Sequence, residues 1–245
     1  MTMQPVRPEF APDPALDRAE MESLQREIAE TATFADDLSV DPLDPHTLVA
    51  GVDQGFSDGT ATSAIVVTRG GNVVERVHAR VDTEIPYIPG LLSFREGGAI
   101  LAALDELSTD PDVFMFDGSG RIHFREAGLA THIGVMLDAP ALGVAKNLLC
   151  GQPRESLDEP LPEGTRVPIE ADGEVTAPDG TVIGHAVQSR QYDSGNRYIN
   201  PLYVSPGHRL SAETAADIAE HCCDGYKLPE PTRLADAHAA DVSRK

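Results

Sequence analysis

The stretch TLVAGVDQGFSDGTATSAIVVTRGGNVVERVHARV, from Thr47 to Val81, holds three strand-like runs in succession. Thr47–Asp53 is apolar and ends in Asp-Gln-Gly, Thr62–Thr68 is short and β-branched, and Asn72–Val81 follows a Gly70-Gly71 dipeptide. Branched side chains suit a pleated surface, and paired glycines supply the positive φ of a tight hairpin turn. Three runs joined in this way predict an antiparallel meander. Beyond it the pattern changes. Ser93–Ser108 carries Ile100, Leu101, Leu104 and Leu107 at helical spacing, and Val113–Phe116 is a wholly apolar strand ending at Asp117-Gly118. Ala127–Leu137 reads as helix and Ala141–Val144 as a short strand before Lys146. A meander followed by alternating strands and helices predicts an α/β fold, a mixed central sheet flanked by helices.

Upstream, Leu16, Leu24, Ile28 and Ala29 share one helical stripe within 14–34, preceded by a proline-rich lead over residues 1–13 that is expected to be disordered. Downstream, Gly151–Gly164 is a Pro- and Glu-rich excursion. Val167–Ile169, Glu174–Ala177, Val182–Gln188 and Leu202–Ser205 read as strands. Ser211 is placed to cap a helix running to Cys223, and the tail Asp236–Lys245 continues as helix. Residues 14–240 are therefore expected to form one domain.

Composition limits what this domain can do. No apolar run approaches the roughly 18–20 residues that span a bilayer, and the acidic N-terminus lacks the basic and apolar regions of a signal peptide. A soluble, cytoplasmic protein with no membrane partner is expected. The three cysteines, Cys150, Cys222 and Cys223, have neither a disulfide framework nor zinc spacing. The formal charge of -21 argues, taken alone, against a nucleic-acid partner. Its make-up points elsewhere: only Lys146, Lys227 and Lys245 are lysines, Trp is absent, and Asp outnumbers Glu. Such a surface suits a cytoplasm of molar salt, where screening over about 3 Å removes most self-repulsion.

Three acids stand where an apolar element meets open space: Asp53, Glu96 and Asp117. A carboxylate at the end of a buried strand is costly unless something compensates it, and a divalent cation does so. Paired carboxylates holding such an ion are also what phosphodiester cleavage needs, for charge neutralisation and for activating water. Each acid has a plainer reading as well. Asp53 can begin a turn, Asp117-Gly118 is a common turn dipeptide, and Glu96 completes a capping box with Ser93.

Several blocks resemble the endonuclease V family: AGVDQGF (Ala50–Phe56), PYIPGLLSFRE (Pro86–Glu96), FDGSGRIH (Phe116–His123), GLATHIGVMLDAPALGVAK (Gly128–Lys146), NPLYVSPGHRLS (Asn200–Ser211) and YKLPEPTRLAD (Tyr226–Asp236). They occur in family order over most of residues 24–236. The resemblance implies an RNase H-like fold, with a five-stranded mixed sheet whose first and fourth strands present acids. It implies a Mg²⁺-dependent nuclease, with Mn²⁺ as a possible substitute. That nuclease would cut the second phosphodiester 3′ of a deaminated adenine, for DNA repair, as a monomer. Asp53, Glu96, Asp117 and Asp236 match the metal-ligand positions, Lys146 a lysine beside the scissile phosphate, and His123 a histidine near the phosphates. Tyr87 and Pro89 match a rigid wedge loop. Gly90, Leu92, Gly118 and Gly128 match a pocket whose backbone amides meet the base.

The chain departs from the family pattern at Ser119, where His is common, at Phe124, where Pro is customary, and at Thr131, where Ser is usual. An inosine-specific ribonuclease, a non-catalytic lesion-binding protein and an actin-like sugar kinase are the alternatives. A nucleic-acid partner further predicts that Arg95, Arg121, Arg125, Arg209, Arg233 and Lys146 gather on one face.

Overall fold

The computed structural model describes residues 3–57, 59–83, 85–86, 88–193 and 197–244. The meander forms as expected: β1 (Leu48–Ser57), β2 (Thr60–Arg69) and β3 (Asn72–Asp82) pair antiparallel in sequence order. β1 and β2 are buried over most of their length, whereas β3 alternates in exposure because it is an edge strand. Helix α1 (Arg18–Thr31) starts with a capping box between Asp17 and Glu20. It is followed after the meander by α2 (Leu92–Asp105), β4 (Val113–Asp117), α3 (Leu129–Leu137) and β5 (Ala141–Ala145).

Strand β4 adds to β1 in parallel, and β5 adds to β4 in parallel. Parallel pairing brings the carboxyl ends of all three strands to one edge of the sheet, the usual place for a ligand site in such sheets. The register sets Val52 beside Phe116, so the next residue on each strand, Asp53 and Asp117, are neighbours on one face.

The sheet does not stop at the five strands expected. After β6 (Gln152–Pro153), β7 (Arg166–Glu170), β8 (Val182–Val187) and β9 (Leu202–His208), the nine strands run β3-β2-β1-β4-β5-β9-β8-β7-β6. The fourfold extension is antiparallel and lies beyond β5. Helices α4 (Ala212–His221) and α5 (Glu230–Val242) complete the chain.

Side chains alternate between the two faces of the sheet. Ala50, Val52, Phe114 and Phe116 join Ile28, Ile100, Leu104 and Ile133 in one core under α1, α2 and α3. Val49, Val113, Met115, Leu142 and Val144 join Ala215 and Ile218 of α4 in another. By this parity Asp53 and Asp117 point to the α4/α5 face. Gly51 is what lets α5 lie close there: a Cβ on it would fall 2.0 Å from the Pro231 carbonyl carbon.

Three sequence expectations are corrected. The lead is not disordered over its described residues. Phe10 is buried, Arg7 N–H donates to Met136 O at 2.9 Å, and Pro12 would obstruct any Cβ on Gly97. Glu174–Ala177 is not a strand, because Val175 and Ala177 reach the third core from a turn. Ser93 and Glu96 make no capping box. The N-cap of α2 is Leu91, and the Ser93 hydroxyl is engaged by His132. Among the described residues no helix is long and apolar enough to cross a membrane.

Candidate active site

Asp53 is 6 % exposed and Glu96 5 % exposed. Asp53 lies at the carboxyl end of the parallel edge, and Glu96 stands in the first turns of α2. Burial raises the Asp53 carboxyl well above its usual range; the negative charges of Asp117 and Asp236 push it further, against a lowering bond from the Gln54 backbone. The register that sets Val52 beside Phe116 makes Asp53 and Asp117 neighbours at the ends of β1 and β4. Glu96 rises to about 8, chiefly by burial and then by the charges of Asp53 and Asp117, with Arg95 opposing. Asp236 projects from α5 and is exposed. Asp53 thus feels the charges of Asp117 and Asp236, and Glu96 those of Asp53 and Asp117.

Lys146 follows β5 and donates to Asp117 Oδ2 at 2.8 Å. Burial works against its charge, yet the bond to Asp117 and the charges of Asp117, Asp53 and Asp236 outweigh it and raise its pKa.

Hard carboxylate oxygens are the donors that Mg²⁺ or Mn²⁺ prefer. Burial, then neighbouring negative charge, holds Asp53 and Glu96 up in pKa, and a bound cation relieves both. The residues present therefore fit a divalent ion in chemistry. They are not a closed cage: among the described residues no three His, Cys, Asp or Glu side chains already group round one metal position.

Beside the acids opens a cavity of about 340 Å³, within the range of small-ligand pockets. Asp117 and Lys146 line it together with Gly90, Leu92, Gly118 and Gly128, whereas Asp53, Glu96 and Asp236 are not in its lining. Helices α2 and α3 both begin in its wall, at Leu92 and Leu129. First-turn amides carry the positive end of the helix dipole. Here Phe94 and Ala130 N–H already donate to Leu91 O and Ser119 O. Gly118 and Gly128 N–H, expected to meet a base, donate to Val144 O and Gly120 O.

Other expectations are not met in this way. His123 lines the cavity but is 3 % exposed, and both ring nitrogens are occupied. Its Nδ1 accepts the Arg125 N–H at 3.2 Å, so Nε2 carries the proton and donates to Gly90 O at 3.0 Å. Burial lowers its pKa to about 4. His123 therefore braces the cavity wall in its neutral form through Gly90. Pro89 is exposed and absent from the cavity lining, and Tyr87 lies outside the described residues.

The arginines do not form a free cationic face. Arg121 pairs with Glu126, Arg125 with Glu22, Arg209 with Asp37 and Arg233 with Glu230. Arg209 follows His208, which pairs with Ala141 at the start of β5. That is the opposite edge of the sheet from Asp117.

One residue missed in the sequence is Gln25 of α1, buried in the cavity wall. The available signal was its position: Met21, Gln25 and Ile28 share the buried stripe of the helix, where an amide is out of place.

Fold and site define the class: an α/β protein with a large mixed sheet flanked by helices, and with paired acids at the carboxyl ends of its central strands beside a cavity. The Endonuclease V family profile matches residues 26–237, and the chain belongs to that family of nucleases. It is 65 % identical to endonuclease V of Haloarcula marismortui, covering 99 % of this chain and 98 % of that protein. It is 59 % identical to the Natronomonas pharaonis protein, with 99 % and 98 % covered. Both relatives come from halophilic archaea. The fold superposes with a TM-score of 0.74 on endonuclease V of Ciona intestinalis, solved with a 24mer DNA containing an inosine followed by a ribo-adenosine. That match has 27 % identity and covers 92 % of this chain and 97 % of that one.

Proposed function

We propose that the protein is a divalent-metal-dependent endonuclease that takes a deaminated adenine into the cavity and hydrolyses the second phosphodiester 3′ to it in DNA. The observation that carries this reading is the adjacency of the Asp53–Asp117 pair to a cavity that Asp117 itself lines. The bound base and the scissile phosphate are then served by neighbouring parts of one site.

Deamination turns the exocyclic amino donor of adenine into a carbonyl acceptor. Amides at the starts of α2 and α3 favour that oxygen and leave the adenine amino group unpaired, a discrimination of about 1–3 kcal/mol per group. Gly118 and Gly128 keep side chains out of the wall, the latter within 2.4 Å (for a notional Cβ) of Ser119 O. Asp53, Asp117, Glu96 and Asp236 would hold Mg²⁺ or Mn²⁺, which neutralises phosphate charge and acidifies water when bound. Lys146 places an ammonium at the boundary of cavity and acids, where it stabilises charge developing on the phosphate. His123 acts by holding Gly90.

The test uses end-labelled strands bearing one inosine, as DNA and as RNA, in molar KCl with Mg²⁺ or EDTA. A metal-dependent nick leaving a 3′-hydroxyl is expected on DNA, and Asp53→Ala or Asp117→Ala abolishes it. Normal cutting by both variants refutes the assignment.

A further inference from the structure

Gln25 is 1 % exposed and lines the cavity. Its Nε2 donates to Gly90 O at 2.8 Å and to Ala127 O at 3.3 Å. These two carbonyls fix which way the amide lies, because the flipped group would set an oxygen against both of them. Its Oε1 is consequently the free end, and it is buried without a partner. A buried acceptor left unmet in a folded protein calls for an explanation.

Gly90 O is already taken twice, by Gln25 Nε2 and by the protonated Nε2 of His123. A carbonyl has two lone pairs, so this one has no capacity left for a ligand. Gln25, in the wall of the cavity, therefore carries one acceptor that no protein group uses. A purine with a 6-carbonyl carries a proton on N1; adenine has a lone pair at that atom.

We propose that Gln25 is a specificity-determining residue, its Oε1 accepting the N1–H of the deaminated purine. This rests on the cavity being the base site. Recognition is then two-sided: amides read the new oxygen, and Gln25 reads the proton that accompanies it. Adenine in the same place sets its N1 lone pair against Oε1 and is repelled. The Nε2 bonds give this reading its rigidity, since the group that tests the base is clamped to both walls. Guanine shares the N1–H, so Gln25 does not distinguish it from hypoxanthine.

The experiment compares strands bearing inosine with strands bearing its 1-deaza analogue, which replaces N1–H by C–H and keeps the 6-carbonyl in the tautomer that carries the ring proton on N3. Half-saturation and single-turnover rate are measured with the full chain, Mg²⁺ and molar KCl, for the unaltered protein and for Gln25→Met. The unaltered protein is expected to bind the analogue about tenfold more weakly. Gln25→Met should weaken inosine by a like factor and leave the analogue unchanged. Equal affinity of the unaltered protein for both strands overturns the proposal whatever the variants do. An equal loss on both strands in Gln25→Met reduces Gln25 to a brace and overturns it too. Failure to nick inosine at all would remove the proposed function itself, a result distinct from failure in the analogue arm alone.

Discussion

Lys146 Nζ lies 2.8 Å from Asp117 Oδ2, so the ammonium sits at the seam between the acid cluster and the cavity. Because the surrounding acids raise its pKa, it stays charged through the neutral range. Removing one preorganised donor from a developing oxyanion typically costs about 10²–10³ in rate. Lys146→Met should lower the single-turnover nicking rate by that order while half-saturation with inosine strands changes little. A rate close to that of the unaltered protein would take Lys146 out of the chemistry.

The buried acids make a second prediction, about pH and metal. Glu96 has a folded pKa of about 8 against an ordinary 4.5. Below 4.5 both folded and unfolded chains hold the proton and the associated stability is fully present. As pH rises towards 8 the unfolded chain releases it first, and that stability is lost. Asp53 acts in the same direction. His123 and His132, lowered to about 4 from 6.5 by burial, act oppositely: their contribution is present above 6.5 and lost as pH falls. The informative quantity is therefore the difference between the unaltered protein and Glu96→Gln. In EDTA the unaltered protein's melting temperature should drop relative to the variant between pH 4.5 and 8. Mg²⁺ should recover it most at the alkaline end, since an ion that binds only the folded state stabilises it. A constant difference across that range, with no response to Mg²⁺, removes Glu96 from the metal cluster.

Much of this site was legible because the sequence marks where apolar strands end in an acid. Strand pattern marked Val113–Phe116 before Asp117 and the run into Asp53, and the parallel β1–β4 register then set the two acids side by side. What could not be read was decided by distant partners. Ser93 with Glu96 has the spacing of a capping box, but His132, 39 residues away, takes the hydroxyl at 2.8 Å. The proline-rich lead looks unable to build a core. It does not need one, because Phe10 packs into a core built by others and its carbonyl accepts His132 Nε2 at 2.7 Å. His123 reads as a polar residue beside phosphates, and only the fold reveals that Gly90 and Arg125 consume both its nitrogens. Val175 and Ala177 alternate like a strand, yet a turn buries them equally well.

A third prediction follows from the charge of -21. Arg121, Arg125 and Arg233 are each matched to a local acid, and Arg95 lies over the Phe56 ring, so the chain keeps a large negative surplus. In dilute buffer that surplus repels itself over about 10 Å at 0.1 M salt, and over about 3 Å at 1 M. Far-UV circular dichroism should show the chain unfolded at about 0.1 M KCl and folded again in molar KCl. Full stability without salt would mean that the acidity has another cause.

Gly51 supplies the last prediction, because it couples the fold to the site. A Cβ there would meet Pro231 C at 2.0 Å and Thr232 N at 2.5 Å, backbone atoms that cannot rotate away. Gly51→Ala must therefore push the start of α5 off β1. Overpacking of this kind costs about 1–3 kcal/mol, which denaturant unfolding in molar KCl would read. The same displacement moves Asp236, which lies two turns along α5 and whose charge Asp53 feels. Gly51→Ala should thus lose nicking activity even under conditions where it remains folded, and excess Mg²⁺ should restore part of it. Loss of stability with undiminished activity would show that α5 does not position an acid for the site.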